Sequence, residues 1–130
     1  MYDVKYGTFD NLREKLLYKR ITAWTKDKLT LEDGTEITIE CSEQDCCAWA
    51  GGKFKGVKLD AAITDVSEPC LTGKEEFGGE TTKFGTVTIY HNNNPIAVAE
   101  CEANDGNGGY YYSICSLVVN DVHYKVVEAE

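Results

Sequence analysis

The 130-residue chain has no apolar run approaching the ~18 residues that cross a bilayer, so no membrane-spanning helix is expected. Its opening, Met1-Tyr2-Asp3-Val4-Lys5, lacks the basic flank and apolar stretch of a secretion signal, and a cytosolic product is the expectation. Only two histidines are present, His91 and His123, which leaves few ordinary participants for acid–base or metal chemistry. There is no CxxC pair, no Walker loop, no recognised catalytic motif and no repeat at a fixed period. Basic residues are scarce in one half. Residues 61–130 carry 3 Lys/Arg against 11 Asp/Glu, while residues 1–60 carry 10 against 11, and the net charge is −9. An acidic surface repels phosphate, so direct nucleic-acid binding is not expected, and an anionic ligand should lie near the first half.

What remains is enough for a real core. Hydrophobic residues make up 42% and aromatics 11%, which argues against disorder, and the length suits one domain over residues 1–130. In a reducing cytosol the six cysteines should be mostly thiols.

Periodicity supplies the elements. Phe9 to Arg20 reads as an amphipathic helix with Leu12, Leu16 and Leu17 on one stripe and Asp10 or Asn11 as cap. Strands follow at Ile21–Thr25, Lys28–Glu32 and Thr35–Cys41. Asp33-Gly34 signals a type I′ hairpin between the last two. Leu29, Leu31, Ile37, Ile39 and Cys41 should share one face. Ser42 with Asp45 reads as a capping box, which would put Cys46 and Cys47 on the first turn of a short second helix. Gly51 to Gly56 looks like a loop, Leu59–Val66 like a strand or short helix, and residues 70–83 like a mobile acidic loop. Further strands are expected at Phe84–His91, Ile96–Glu102, Tyr111–Val119 and Val122–Val127, with turns through residues 92–95 and Asn120-Asp121. The last strand has apolar residues on both faces and, if at an edge, could pair with another copy of the chain. The sum is an α+β fold, mainly an antiparallel β-meander with one N-terminal helix and a short second helical turn.

Candidate chemistry falls in three places. Cys41, Cys46 and Cys47 with His91 or His123 could ligate zinc, but the gaps do not fit a structural site, and buried thiols acting as small hydrophobes are the simpler reading. No metal and no cofactor is therefore expected. A cysteine nucleophile with a histidine base and Asp65 or Asn92 as orienter has no spacing to select it, so no catalytic residue is assigned and the protein is expected not to be an enzyme. Gly51-Gly52-Lys53-Phe54-Lys55-Gly56 is the most suggestive segment. A glycine turn can form an anion-binding nest, Lys53 and Lys55 add charge, and Trp49 or Phe54 could stack on a base. Asn92 and Asn107 offer amides, and Tyr110, Tyr111 and Tyr112 offer the apolar area with a polar tip that suits recognition.

The order of an Asp-Gly hairpin, Glu43-Gln44-Asp45-Cys46-Cys47 and Asn107-Gly108-Gly109-Tyr110-Tyr111-Tyr112-Ser113 resembles a family of small uncharacterised proteins encoded mainly in tailed-phage genomes. Its members carry a Glu-Gln-Asp-Cys-Cys box and a late Asn-Gly-Tyr-Tyr-Ser segment. The resemblance covers roughly residues 12 to 119, and this chain departs from the pattern in its extra Gly109 and in the glycine- and lysine-rich stretch after Trp49. It implies a phage setting in the host cell cytoplasm and a fold, not a reaction. The resulting expectation is a non-enzymatic accessory protein, oligomerising with itself, that sequesters a small host ligand such as a nucleotide-type immune signal. The ligand site would comprise Trp49, Lys53, Phe54, Lys55, Asn92, Asn107 and Tyr110 to Tyr112. The alternative is an acidic inhibitor that covers a basic, nucleic-acid-binding surface of a host protein.

Overall fold

Alternating apolar and polar side chains carry most of the chain into strands, and short turns between them set an antiparallel order. A computed structural model describes residues 4–45, 48–106 and 112–129. The elements are β1 (Lys5–Tyr6), α1 (Phe9–Leu16), β2 (Ile21–Thr25), β3 (Lys28–Leu31), β4 (Glu36–Gln44) and β5 (Ala50–Lys55), followed by β6 (Asp65–Val66), β7 (Cys70–Phe77), β8 (Glu80–His91), β9 (Asn94–Asn104), β10 (Ser113–Val119) and β11 (Val122–Ala129). Six strands form one sheet in the order β1-β11-β10-β4-β3-β2, and β5-β9-β8-β6 form the second, with β7 also paired to β8. Among the described residues only the β1–β11 pair is parallel. The sheets face each other across one core, to which Leu29, Leu31, Ile37 and Leu117 contribute from the first sheet and Phe54, Val87, Ile89 and Ala99 from the second.

The chain is thus mainly β with one helix among the described residues, rather than α+β with two. Thr8, in extended conformation, is the N-cap and accepts from Asn11 N at 3.2 Å; Asp10 lies inside the first turn, where its charge favours the dipole. The helix ends at Leu16, short of Arg20. Tyr18 takes a left-handed φ of +69° and its N–H donates to Ile63 O, which redirects the chain into β2. Phe9, Leu12 and Leu16 are the residues it buries.

The second helical turn does not start at Ser42, because β4 runs on to Gln44 against β10. The register skips between Ile114 and Cys115, so Ser42 is the extra residue of a β-bulge. The bulge aims its hydroxyl at Ser116 Oγ (2.6 Å) and His123 Nδ1 (2.7 Å) instead of at a helix N-terminus. Cys46 and Cys47 lie outside the described residues. The Asp33-Gly34 hairpin stands where expected with different chemistry. Only Gly34 has positive φ, and Gly34 N donates to Leu31 O while Leu31 N donates to Thr35 O, a three-residue loop closed by a left-handed glycine. Two-residue turns with both central φ positive occur at Gly78-Gly79, Asn92-Asn93 and Asn120-Asp121.

Two expected loops are strands. Gly51 to Lys55 belongs to β5, and residues 70–83 form the β7–β8 hairpin rather than a mobile loop. All eight β7 residues are exposed, so this hairpin has no buried face to impose the period-two pattern that marks a strand. The Val122–Val127 strand is an edge over most of its length. β1 covers only its first two residues, Val122 and His123; from Tyr124 onward β11 pairs with β10 alone among the described strands.

Candidate functional site

Strand parity builds a groove on the outer face of the second sheet. Three cross-strand neighbours, Gly52 on β5, Cys101 on β9 and Gly85 on β8, share one row. All three direct their substituents inward. Cys101 is 3% exposed, a Cβ at Gly52 would meet Ile39, and one at Gly85 would meet Val127. On the outer face this row therefore offers bare backbone. The flanking rows, Lys53–Glu100–Thr86 and Gly51–Glu102–Phe84, point outward and stand about 7 Å apart, two residues along the strands. They form walls over a backbone floor. The resulting groove has a volume of about 550 Å³ and is closed by Thr72 at the β7 end and Lys26 at the β5 end. Thr72 is the extra residue of a bulge between Leu71 and Gly73, which brings it to the floor's edge. Lys26 is held there because its carbonyl accepts from Phe54 N at 2.7 Å.

The charges are arranged along this groove rather than mixed. Lys55 pairs with Glu100 at 2.6 Å, which neutralises the carboxylate of that wall. Among the described residues Lys26, Lys53 and Glu102 have no ion-pair partner. The groove is positive at the β5 end and carries one uncompensated carboxylate beside the half-buried Phe84 ring. The size falls within the usual range of small-molecule sites, about 300–1,000 Å³.

Of the residues singled out in sequence, Lys53 lines this groove and Lys55 flanks it through Glu100. Phe54 does not join them. It lies between two outward lysines on a strand, so its ring turns inward, is 2% exposed and packs in the core with no free face for a base. Trp49 is 43% exposed, and its carbonyl accepts from Asn104 N and Ser113 Oγ, both at 2.8 Å, which ties β9 to β10. Asn92 sits in the β8–β9 turn, with its N–H on Thr64 Oγ1 at 2.8 Å, away from the groove. Asn107, Tyr110 and Tyr111 lie outside the described residues.

Tyr112 belongs to a separate cluster at the six-stranded sheet. Its hydroxyl donates to Glu43 Oε1 at 3.2 Å, and Tyr6 donates to the other oxygen of the same carboxylate. Burial first, and the Glu43 bond second, push the Tyr6 hydroxyl far above the ordinary tyrosine range; the negative charge of Glu43 is the main cause of the upward shift of Tyr112. Beside them run Ser116, Ser42 and His123, with Tyr6 edge-on to the His123 ring. His91 is committed elsewhere, with Nδ1 2.7 Å from Ala62 O. The Cys101 thiol is raised by its hydrogen bond to Cys115 and by burial, and burial raises Cys41, so these thiols are poor nucleophiles. Among the described residues no three His, Cys, Asp or Glu side chains are placed to hold a metal ion, and no helix is long and apolar enough to cross a membrane.

Lys26, Thr72, Phe84, Thr86, Glu100 and Glu102 were not picked out in sequence. For Phe84, Thr86, Glu100 and Glu102 the signal is present in two triplets, Phe84-Gly85-Thr86 and Glu100-Cys101-Glu102, each a small inward residue between two outward ones. Only the strand register lines those triplets up with each other and with Gly52.

Residues 14–118 match the family model of a domain of unknown function (DUF7448). No curated protein and no solved structure matches the chain.

Proposed function

The chain belongs to the DUF7448 family, and from that premise we propose that it is a non-enzymatic protein that holds a small anionic ligand of nucleotide type in the groove over Gly52, Cys101 and Gly85. The observation that carries this reading is the pair of lysines without acidic partners among the described residues, Lys26 and Lys53, at one end of a groove whose far wall bears an aromatic ring. A phosphate placed between the two ammonium groups would gain charge-assisted hydrogen bonds, and Phe84 would support a base. The acidic remainder of the surface opposes anions at long range, so attraction is confined to this end of the groove. Neither the groove nor the buried thiols bring a general base to an activated nucleophile, which favours retention over conversion. The resemblance to tailed-phage proteins supplies a setting, removal of a host nucleotide signal in the cytoplasm.

Calorimetric titration of the full chain with nucleoside monophosphates tests the proposal. Binding that weakens at least tenfold in Lys26→Ala/Lys53→Ala, with the fold retained by circular dichroism, is the expected result. Absence of any binding, or binding that the double variant leaves intact, would remove this groove as the site.

One feature favours a second reading, an inhibitor that covers a host protein. The β7–β8 hairpin exposes Leu71 and Phe77, the latter 88% exposed, beside Glu75 and Glu76. A tip that exposes Phe77 next to the carboxylates of Glu75, Glu76 and its cross-strand partner Glu80 suits a basic surface with apolar hollows. Capture of a basic host protein that is lost with Phe77→Ser and with salt would support it; capture unchanged by both would refute it.

A further inference from the structure

We infer that the base favoured by this groove is guanine, a conclusion that rests on the nucleotide reading above and goes beyond it. The carboxylates on the two walls are not equivalent. Glu100 is engaged by Lys55 at 2.6 Å, whereas Glu102 has no ion pair among the described residues. Glu102 is also the cross-strand neighbour of Phe84, so carboxylate and ring stand side by side on one wall and direct themselves to the same outer space. A base lying on the Phe84 ring would bring one edge against Glu102.

At neutral pH a carboxylate only accepts hydrogen bonds, and it presents two oxygens. The best partner is an edge with two adjacent donors. Guanine has one, N1–H beside the 2-amino group. Adenine and cytosine place a ring nitrogen lone pair next to their amino group, and uracil flanks its one N–H with carbonyls. Each of these sets a lone pair against the Glu102 charge, which costs binding rather than merely failing to add to it. The lysines at the β5 end remain available to the phosphate, so base and phosphate have separate receivers: one negative, one positive.

The test is titration of the full chain with GMP, IMP, AMP, CMP and UMP, repeated with Glu102→Gln. GMP should bind at least tenfold more tightly than IMP, which lacks the 2-amino group, and more tightly than AMP. Glu102→Gln should bring GMP down to the IMP level without weakening AMP. Equal binding of all five nucleotides, lost in Lys26→Ala/Lys53→Ala, would overturn the guanine assignment while sparing the groove. Failure of every nucleotide to bind would overturn both. GMP preference that survives Glu102→Gln would overturn the role of Glu102.

Discussion

Replacing Gly52 by Ala should destabilise the protein although it adds a single methyl group to a strand. A Cβ at this position would overlap the Glu100 carbonyl oxygen and lie 3.0 Å from Cys101 Cα and 3.1 Å from Ile39 Cγ2. The first two are backbone atoms of β9 and cannot swing aside. Relief therefore requires β5 to move away from β9, or the second sheet to move away from β4. Over-packing of this kind costs about 1–3 kcal/mol, and the backbone obstruction puts this site at the upper end. With a urea m-value of about 1.5 kcal/mol/M for a small domain, the unfolding midpoint should fall by about 0.7–2 M. Gly51→Ala is the internal control. Nothing lies within 4 Å of its Cβ position, and replacing a strand glycine by alanine in open space should leave the stability unchanged or raise it by the roughly 0.5 kcal/mol gained from lower unfolded-state entropy. The two neighbouring substitutions should thus separate clearly, with a loss of stability at Gly52 and none at Gly51. A Gly52→Ala midpoint equal to the parent, with normal m-value, would show that the sheets do not approach as described, and the backbone-floored groove would fall with that geometry. Urea unfolding followed by tryptophan fluorescence and by circular dichroism, with coincident transitions, is the assay.

Two pH dependences follow, one from the Lys19–Asp33 ion pair and one from the Tyr6–Glu43 hydrogen bond. Lys19 at 2.9 Å and the Thr35 N–H hold the Asp33 carboxyl below the usual carboxylate range; its stabilisation is complete above the unfolded value of about 3.9 and is lost as pH falls below it toward the depressed folded value. Urea midpoints measured between pH 5 and 2 should therefore decline more steeply for the parent than for Asp33→Asn, and parallel curves would refute the pairing. The Tyr6 hydroxyl is shifted the other way, upward, so its contribution is complete below the unfolded tyrosine value of about 10 and fades as pH rises above it. Tyr6→Phe should be less stable at neutral pH yet lose less between pH 9 and 11; an unchanged alkaline slope would mean that Tyr6 and Glu43 are not joined.

Several elements were legible in sequence because their signals are local. The Leu12–Leu16 stripe of the helix, the inward set Leu29, Leu31, Ile37 and Ile39, and the turns at Asp33-Gly34, Asn92-Asn93 and Asn120-Asp121 need only periodicity or a positive-φ residue. The β-rich character follows from them. Where reading failed, the missing information was long-range. Ser42 has the residue type of a helix cap, but pairing with β10 keeps it in a strand, since a ladder of backbone bonds outweighs one side-chain cap. Gly51-Gly52 has loop composition, yet at Gly52 glycine is what the strand requires, because the β9 backbone and Ile39 leave no room for a Cβ. The exposed β7 carries no alternation at all.

The same division holds for the candidate site. Sequence by itself determined that cationic character lies in the first half, that Lys53 and Lys55 would be on the surface, and that strands would alternate their side chains. Only the tertiary structure decided that Phe54, between those lysines, is core, and that Glu102 and Phe84, paired across the β8–β9 hairpin, stand with Lys26 and Lys53 around one groove. The reason is physical: alternation within a strand is a property of neighbouring residues, whereas the rows across β5, β9 and β8 depend on which strands pair and in what alignment, and the side that becomes core depends on where the second sheet packs.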